Sequence, residues 1–300
     1  MSRVIAVTGV TGVLGRRVLE RLAAAQPDDV SLRLIVRDSA RAPRVHGADP
    51  VVVANPGGYR DGEGLREALQ GVHTVYLVSA AEAEDRVRQH LTAVAAAAAA
   101  GVQRIIYTSF VGADRSEPTF TLVRHHGATE AAIRRTGLRH TVLRHSMYAD
   151  FVPFFATLED GRAVIAAPAG EGRTGFVSRD DLADVAAAVL LDDSTSLDGQ
   201  ALEVTGPEAI TLDRAAEVLT EVTGRPAEYR QQTVEEAWAT RRPSGHPDWE
   251  IEGWVTSYLA IAAGELSTVT DVVLTVTGHP ARTVAAHLRA HPEDWAHLRG

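Results

Sequence analysis

Residues 4–15 read VIAVTGVTGVLG: a β-branched apolar run, then glycines at Gly9, Gly12 and Gly15, leading into the helix-prone RRVLERLAAA. A strand opening directly into a helix gathers unpaired backbone N–H groups and the positive end of the peptide dipole at one point, which attracts anions. Glycine is needed where such a loop turns sharply or lets a ligand approach the backbone. The spacing is GxxGxxG rather than GxGxxG. A glycine triplet alone also fits a structural turn that holds no phosphate. The strand pattern before it and the helix pattern after it point to dinucleotide binding, with Gly9, Thr11, Gly12, Val13, Leu14 and Gly15 as candidate contacts.

Outward from this loop, apolar runs alternate with helical stretches in the manner of βαβ units. SLRLIVR (31–37), PVVVAN (50–55), HTVYLVS (73–79), RIIYTSF (104–110) and HTVLR (140–144) read as further strands. Helices are expected over 15–25 and 64–70, over a long stretch ending in six alanines before Gly101, and over 126–136. Beyond Asp150 the pattern loosens. DFVPFF (150–155) suggests a pocket wall, a lid or core packing, residues 179–193 form an amphipathic helix, ALEVTG (201–206) returns to a strand, and Thr233 with Glu236 makes a capping box. The expected fold is α/β: a Rossmann-type doubly wound parallel sheet over residues 1–150, and a smaller mixed α/β substrate lobe over 151–300. Segments cross between the two, so the lobe is not expected to fold independently.

Composition closes several routes. The 300 residues are 45% apolar and 23% charged, as in an ordinary globular chain. No run reaches the ~18 uninterrupted apolar residues of a membrane span, and the start lacks the basic and apolar regions of an export signal. With no cysteine, a cytoplasmic protein without disulfides or a membrane partner is expected. A net charge of −9 without a basic cluster argues against a nucleic-acid partner. All 30 basic residues are arginine, so there is no lysine for a Schiff base or a tunable amine. The twelve histidines are read as holding no HExxH and no H-x3-H with acidic partners, and the adjacent His125 and His126 would diverge by about 100° on a helix. No metal site is expected.

In a doubly wound sheet the residue ending the second strand meets the adenosine ribose. Arg37 stands there, with Arg41 one turn later, and a guanidinium fork suits a 2′-phosphate. Asp38 is the competing signal for a bare ribose, and a solvated strand end is the structural reading of Arg37. NADP(H) is favoured over NAD(H).

TGVTGVLG (8–15), YTSF (107–110), HGATEAAIRRTG (126–137) and TVLRHSMYADF (141–151) resemble the NmrA-like atypical short-chain dehydrogenases, nearest in pattern to the bacterial NAD(P)H:quinone oxidoreductase and triphenylmethane reductase branch. The resemblance covers most of the chain, including R-x-DLA at 179–183. It implies an NADPH-binding Rossmann domain with a small C-terminal substrate lobe. Cofactor contacts would fall on the glycine loop, Arg37, Ser79 and Ala80, and the stretch from Leu143 to Tyr148. The family commonly has asparagine where this chain has His145, which leaves that contact's role open.

The usual tyrosine–lysine proton relay is impossible without lysine. Ser109 occupies the family's serine position and is a candidate to hydrogen-bond a carbonyl, or to cap the local backbone. His126 is the remaining candidate proton donor, with Glu130 one turn on and His125 beside it as a competitor. Its structural reading is a helix histidine without chemistry. Tyr148 completes the catalytic candidates. The expected function is NADPH-dependent hydride transfer to a quinone-like or conjugated, azo- or dye-like electrophile, with His126 or solvent supplying the proton. The alternative is a non-catalytic NADP(H)-binding redox sensor acting through a partner protein. The expected partner of the first reading is a small-molecule electron acceptor, and the expected assembly is a monomer or homodimer.

Overall fold

The first strand, β1 (Arg3–Thr8), buries Ile5, Ala6, Val7 and Thr8 in succession, which suits a central strand of a parallel sheet covered on both faces. The computed structural model describes residues 3–25 and 27–299. After β1 come α1 (Val13–Ala25), β2 (Val30–Val36), β3 (Val51–Ala54), α2 (Gly62–Ala68), β4 (Thr74–Leu77), α3 (Arg86–Ala99), β5 (Arg104–Phe110), α4 (Val123–Thr136) and β6 (Arg139–His145). There follow α5 (Phe151–Phe154), β7 (Ala156–Glu159), β8 (Arg162–Ala167), β9 (Arg173–Thr174), α6 (Arg179–Leu191), β10 (Ala201–Val204), β11 (Ile210–Thr211), α7 (Leu212–Thr223) and β12 (Ala227–Gln231). The chain finishes with α8 (Val234–Arg241), α9 (Asp248–Ala262), α10 (Val272–Thr277) and α11 (Val284–Ala290).

The main sheet is parallel, with seven strands in the order β3-β2-β1-β4-β5-β6-β10. Strand order reverses between β1 and β4. Just beyond the carboxyl ends of such a pair a crevice forms, and ligands of doubly wound sheets bind there. The α1 helix buries Leu14, Val18, Leu19 and Leu22, a stripe at helical spacing. The alanine run of α3 turns Ala93, Ala96 and Ala97 into the core beside Val75, Ile105 and Tyr107. Small side chains let that helix lie close to the sheet.

The fold divides into two compact units. One comprises Met1–Ala113, His125–Arg144 and Leu182–Leu202; the other comprises Asp114–Arg124, His145–Asp181 and Glu203–Gly300. The second unit contains a three-stranded sheet in the order β12-β8-β7, with β8 parallel to β12 and antiparallel to β7. The β7–β8 hairpin turns on Asp160 and Gly161, whose φ values of 46° and 81° are those of the Asp-Gly turn that matches strand twist. Sequence reading left this hairpin out, although the DG pair was its signal.

Three helices begin earlier than expected, α2 among them at Gly62 rather than 64. The first starts at Val13, two residues before Gly15, and α4 starts at Val123, so His125 and His126 lie inside its first turn. The capping box read at Thr233 and Glu236 is present, and Thr211 caps α7 by accepting the Arg214 N–H at 3.1 Å. Among the described residues, no helix is long and apolar enough to cross a membrane.

Candidate functional site

The glycine loop joins β1 to α1 at the switch point of the first unit. Gly9 has a φ of 66°, and a Cβ there would press on the Val78 side chain at 2.8 Å, just past β4. At Gly15 a Cβ would lie 2.3 Å from the Gly9 carbonyl oxygen, so α1 reaches its loop only with hydrogen at that position. Gly12 differs. A Cβ there meets only the Gly9 carbonyl oxygen, at 3.4 Å. The protein's own packing does not require that glycine, and the open space lies over the first turn of a thirteen-residue helix with no acidic side chain in that turn. Thr11, Gly12 and Val13 are exposed around it while Leu14 anchors the turn in the core. This is the cradle a bound pyrophosphate fits.

A hydroxyl network ties the switch point together. Thr8 Oγ1 donates to the Tyr76 carbonyl at 2.9 Å and accepts the Val78 N–H at 2.9 Å. The Tyr59 hydroxyl stands 2.6 Å from Thr8 Oγ1 and 2.7 Å from the Val78 carbonyl oxygen. Burial raises the Tyr59 pKa, so this phenol remains protonated. Sequence reading missed Thr8 and Tyr59, because their partners lie about 70 and 20 residues away in the chain.

Arg37 and Arg41 are exposed at and beyond the end of β2. The Arg37 stem passes over Gly58, where an added methyl would meet its Cδ at 3.3 Å. Asp38 is engaged in the Ser39–Arg41 turn, its Oδ1 accepting the Ala40 N–H at 2.9 Å.

The Ser79 and Ala80 amides that follow β4 are held from within the unit. Ser79 N–H donates to Thr108 Oγ1 at 2.7 Å, and Ala80 N–H donates to His90 Nε2 at 2.8 Å. Accepting that bond leaves the His90 proton on Nδ1, which faces Thr129 Oγ1 at 2.9 Å. His90 is wholly buried, and burial, aided by Arg86, pushes its pKa down to about 3. Arg86 Nε donates to the Ala80 carbonyl at 2.8 Å, and its terminal nitrogen lies 3.2 Å from His126 Nε2. His126 Nδ1 in turn lies 3.0 Å from the Tyr107 hydroxyl. His126 is thus 7% exposed and held at both ring nitrogens. The guanidinium can only donate, which makes Nε2 an acceptor and leaves the proton on Nδ1.

Ser109 Oγ donates to Glu130 Oε1 at 2.7 Å. Glu130, itself fully buried, receives the Arg144 fork at 3.0 and 2.8 Å and Arg134 at 3.2 Å. Burial pushes the Glu130 pKa up, but the Arg144 and Ser109 hydrogen bonds outweigh it and hold the carboxylate below its ordinary range. Glu130 was legible beside His126. Arg144, fourteen residues on, was not.

The end of β6 belongs to the second unit. Leu143, in the first unit, is a core side chain with no exposure, whereas His145 is 1% exposed with Nδ1 3.3 Å from the Tyr148 hydroxyl. Its Nε2 is buried without a hydrogen-bond partner among the described residues. Burial, followed by the field of Arg179, lowers the His145 pKa to about 3. A neutral buried imidazole with one nitrogen to spare fits a polar ligand group. Arg179 lies over the Tyr148 ring at 4.5 Å and pairs with Asp150. Of the DFVPFF stretch, Val152 and Pro153 are core, Phe155 packs on Tyr258 with centroids 5.1 Å apart, and Phe154 is 74% exposed.

A parallel sheet in this strand order, with a glycine loop at its switch point and a helix start open to phosphate, defines a Rossmann-type α/β protein of the dinucleotide-binding class. The NmrA-like family pattern matches residues 1–245, and the chain belongs to that family. An NADPH-dependent quinone oxidoreductase from Escherichia coli, solved in complex with NADPH, superposes with a TM-score of 0.84 at 31% identity, covering 99% of this chain and 100% of that one. The Citrobacter sp. triphenylmethane reductase, solved with NADP(H), gives 0.81 at 30% identity, covering 97% and 100%. An NAD(P)H azoreductase of Xenophilus azovorans is 28% identical over 287 residues, 96% of this chain and 97% of its own.

Proposed function

We propose that this chain is an NADPH-dependent oxidoreductase that reduces quinone-like or conjugated, dye-like electrophiles without a tyrosine–lysine relay. The observation that carries the reading is the start of α1, open over Gly12, clear of acidic side chains and followed by the exposed Arg37 at the end of β2. Full-length relatives that reduce a quinone, an azo compound and triphenylmethane dyes support the same class of acceptor.

The loop N–H groups from Gly9 to Gly15 would hold the pyrophosphate, and Arg37 with Arg41 the 2′-phosphate. Asp38 spends one carboxylate oxygen on its own turn. NADPH, when bound, supplies a hydride. Acceptors of this kind spread the resulting negative charge over a conjugated system, so water suffices as proton source. We assign positioning roles to the groups already bonded within the first unit: His126 through Arg86 to the end of β4, and Ser109 through Glu130 to Arg144 on β6. In the second unit His145 offers its spare ring nitrogen to a polar ligand group, with Tyr148 orienting the ring.

Loss of NADPH absorbance with a panel of quinones, azo compounds and triphenylmethane dyes tests the reading. Turnover with at least one acceptor class, and a strong preference for NADPH over NADH, is expected. Tight NADPH binding with no turnover on any acceptor would overturn it in favour of a nucleotide-binding sensor.

A further inference from the structure

The C-terminal segment carries a histidine pair that hydride transfer does not use. His287 sits on α11 and His291 caps its end, four residues on, with ring centroids 4.7 Å apart. The expectation that no H-x3-H has acidic partners is overturned: Glu293 and Asp294 follow the pair directly and contact its rings, and Asp180 joins from the start of α6, more than 100 residues earlier.

The surroundings of His291 are the informative point. Its Nδ1 lies 3.0 Å from Glu293 Oε1, and its Nε2 lies 2.6 Å from Asp180 Oδ2. A neutral imidazole carries one proton, yet both nitrogens face carboxylate oxygens. With Glu293 holding a proton on Nδ1, the Nε2 that faces Asp180 is placed as a metal donor. His287 is 1% exposed, with Nδ1 2.8 Å from Ser178 Oγ and Nε2 3.1 Å from Asp294 Oδ2. Asp180, His287 and His291 each present a ligand atom, and the three lie within 4.8 Å of one another. All three belong to the second unit.

We propose that Asp180, His287 and His291 bind one divalent ion of the zinc class, with water in the fourth position. Mixed imidazole and carboxylate donors suit zinc, and bonds near 2.1 Å in a tetrahedron set ligand atoms about 3.4 Å apart. The His291–Asp180 contact then opens by about 0.8 Å, a small rotation for side chains that are 17% and 15% exposed. Glu293 on the far nitrogen of His291 is the carboxylate–histidine arrangement that fixes a ligand's tautomer. Zinc takes imidazole nitrogens only in their unprotonated form, so affinity rises with pH. The ion would clamp the segment around α11 to the start of α6.

The test is titration of chelator-stripped full-length protein with zinc chloride by calorimetry, with cobalt(II) absorption as a second readout. One ion per chain, a raised Tm and the visible bands of four-coordinate cobalt are expected. Asp180→Asn and His291→Gln should each weaken zinc more than 100-fold, and Glu293→Gln about 10- to 100-fold, while NADPH affinity, the folding control, stays at the wild-type value. No stoichiometric binding to the wild type, with His291 found as an imidazolium by 15N NMR, would overturn the proposal. So would unchanged zinc affinity in both Asp180→Asn and His291→Gln.

Discussion

Gly12→Ala separates the demands of the fold from those of the ligand. The added methyl meets only the Gly9 carbonyl oxygen, at 3.4 Å, which is an ordinary contact distance. The backbone there is outside the left-handed region, so the substitution also removes freedom from the unfolded chain, and stability should hold or rise by up to about 1 kcal/mol. The same methyl stands where a phosphate would approach the first turn of α1. Loss of one charge-assisted hydrogen bond, about 1.5–3 kcal/mol, corresponds to a roughly 10- to 150-fold weaker NADPH Kd. Gly15→Ala should do the opposite. Its methyl would overlap the Gly9 carbonyl oxygen at 2.3 Å, and the displacement of α1 should cost about 1–3 kcal/mol in stability. NADPH fluorescence titration and calorimetric unfolding of both variants make the comparison. Wild-type NADPH affinity in Gly12→Ala, or a stability loss equal to that of Gly15→Ala, would refute the reasoning.

Arg37→Ala should weaken NADPH about 10- to 100-fold and leave NADH nearly unchanged, as competitive binding of the two nucleotides will reveal. His126→Ala should lower turnover less than tenfold without altering the pH–rate profile; loss of a limb of that profile would make His126 the proton donor after all. Stability should fall as the pH drops from about 6.5 toward 3, because His90 and His145 are held near 3 by burial and take up protons only on unfolding. Each contributes a slope of up to about 1.4 kcal/mol per pH unit in that window, and urea unfolding of His90→Gln between pH 6.5 and 5 should show one such increment missing.

Much of the first unit was legible because its signals are local. The strand-to-helix glycine run, Arg37 and the alanine-rich helix each declare themselves within about a dozen residues, since backbone geometry and helical spacing act over that range. The networks holding those elements were not legible. Ser109, Glu130 and Arg144 come from β5, α4 and β6, and the His90–Tyr107–His126 cluster from α3, β5 and α4. Hydrogen-bond partners chosen by sheet order leave no periodicity in the sequence.

The sequence by itself determined that this chain forms a doubly wound sheet, that a glycine-rich strand-to-helix turn opens it, and that no lysine exists to run a proton relay. Those are properties of spacing and composition. Only the tertiary structure decided which glycine the protein's own packing leaves open, that Asp38 bonds within its own turn, and that His126 is held between an arginine and a tyrosine. It also set His145 with a nitrogen unused and gathered Asp180, His287 and His291 around one point. The physical reason is burial: it fixes each polar atom's partners, and with them the tautomers and charges the chemistry depends on.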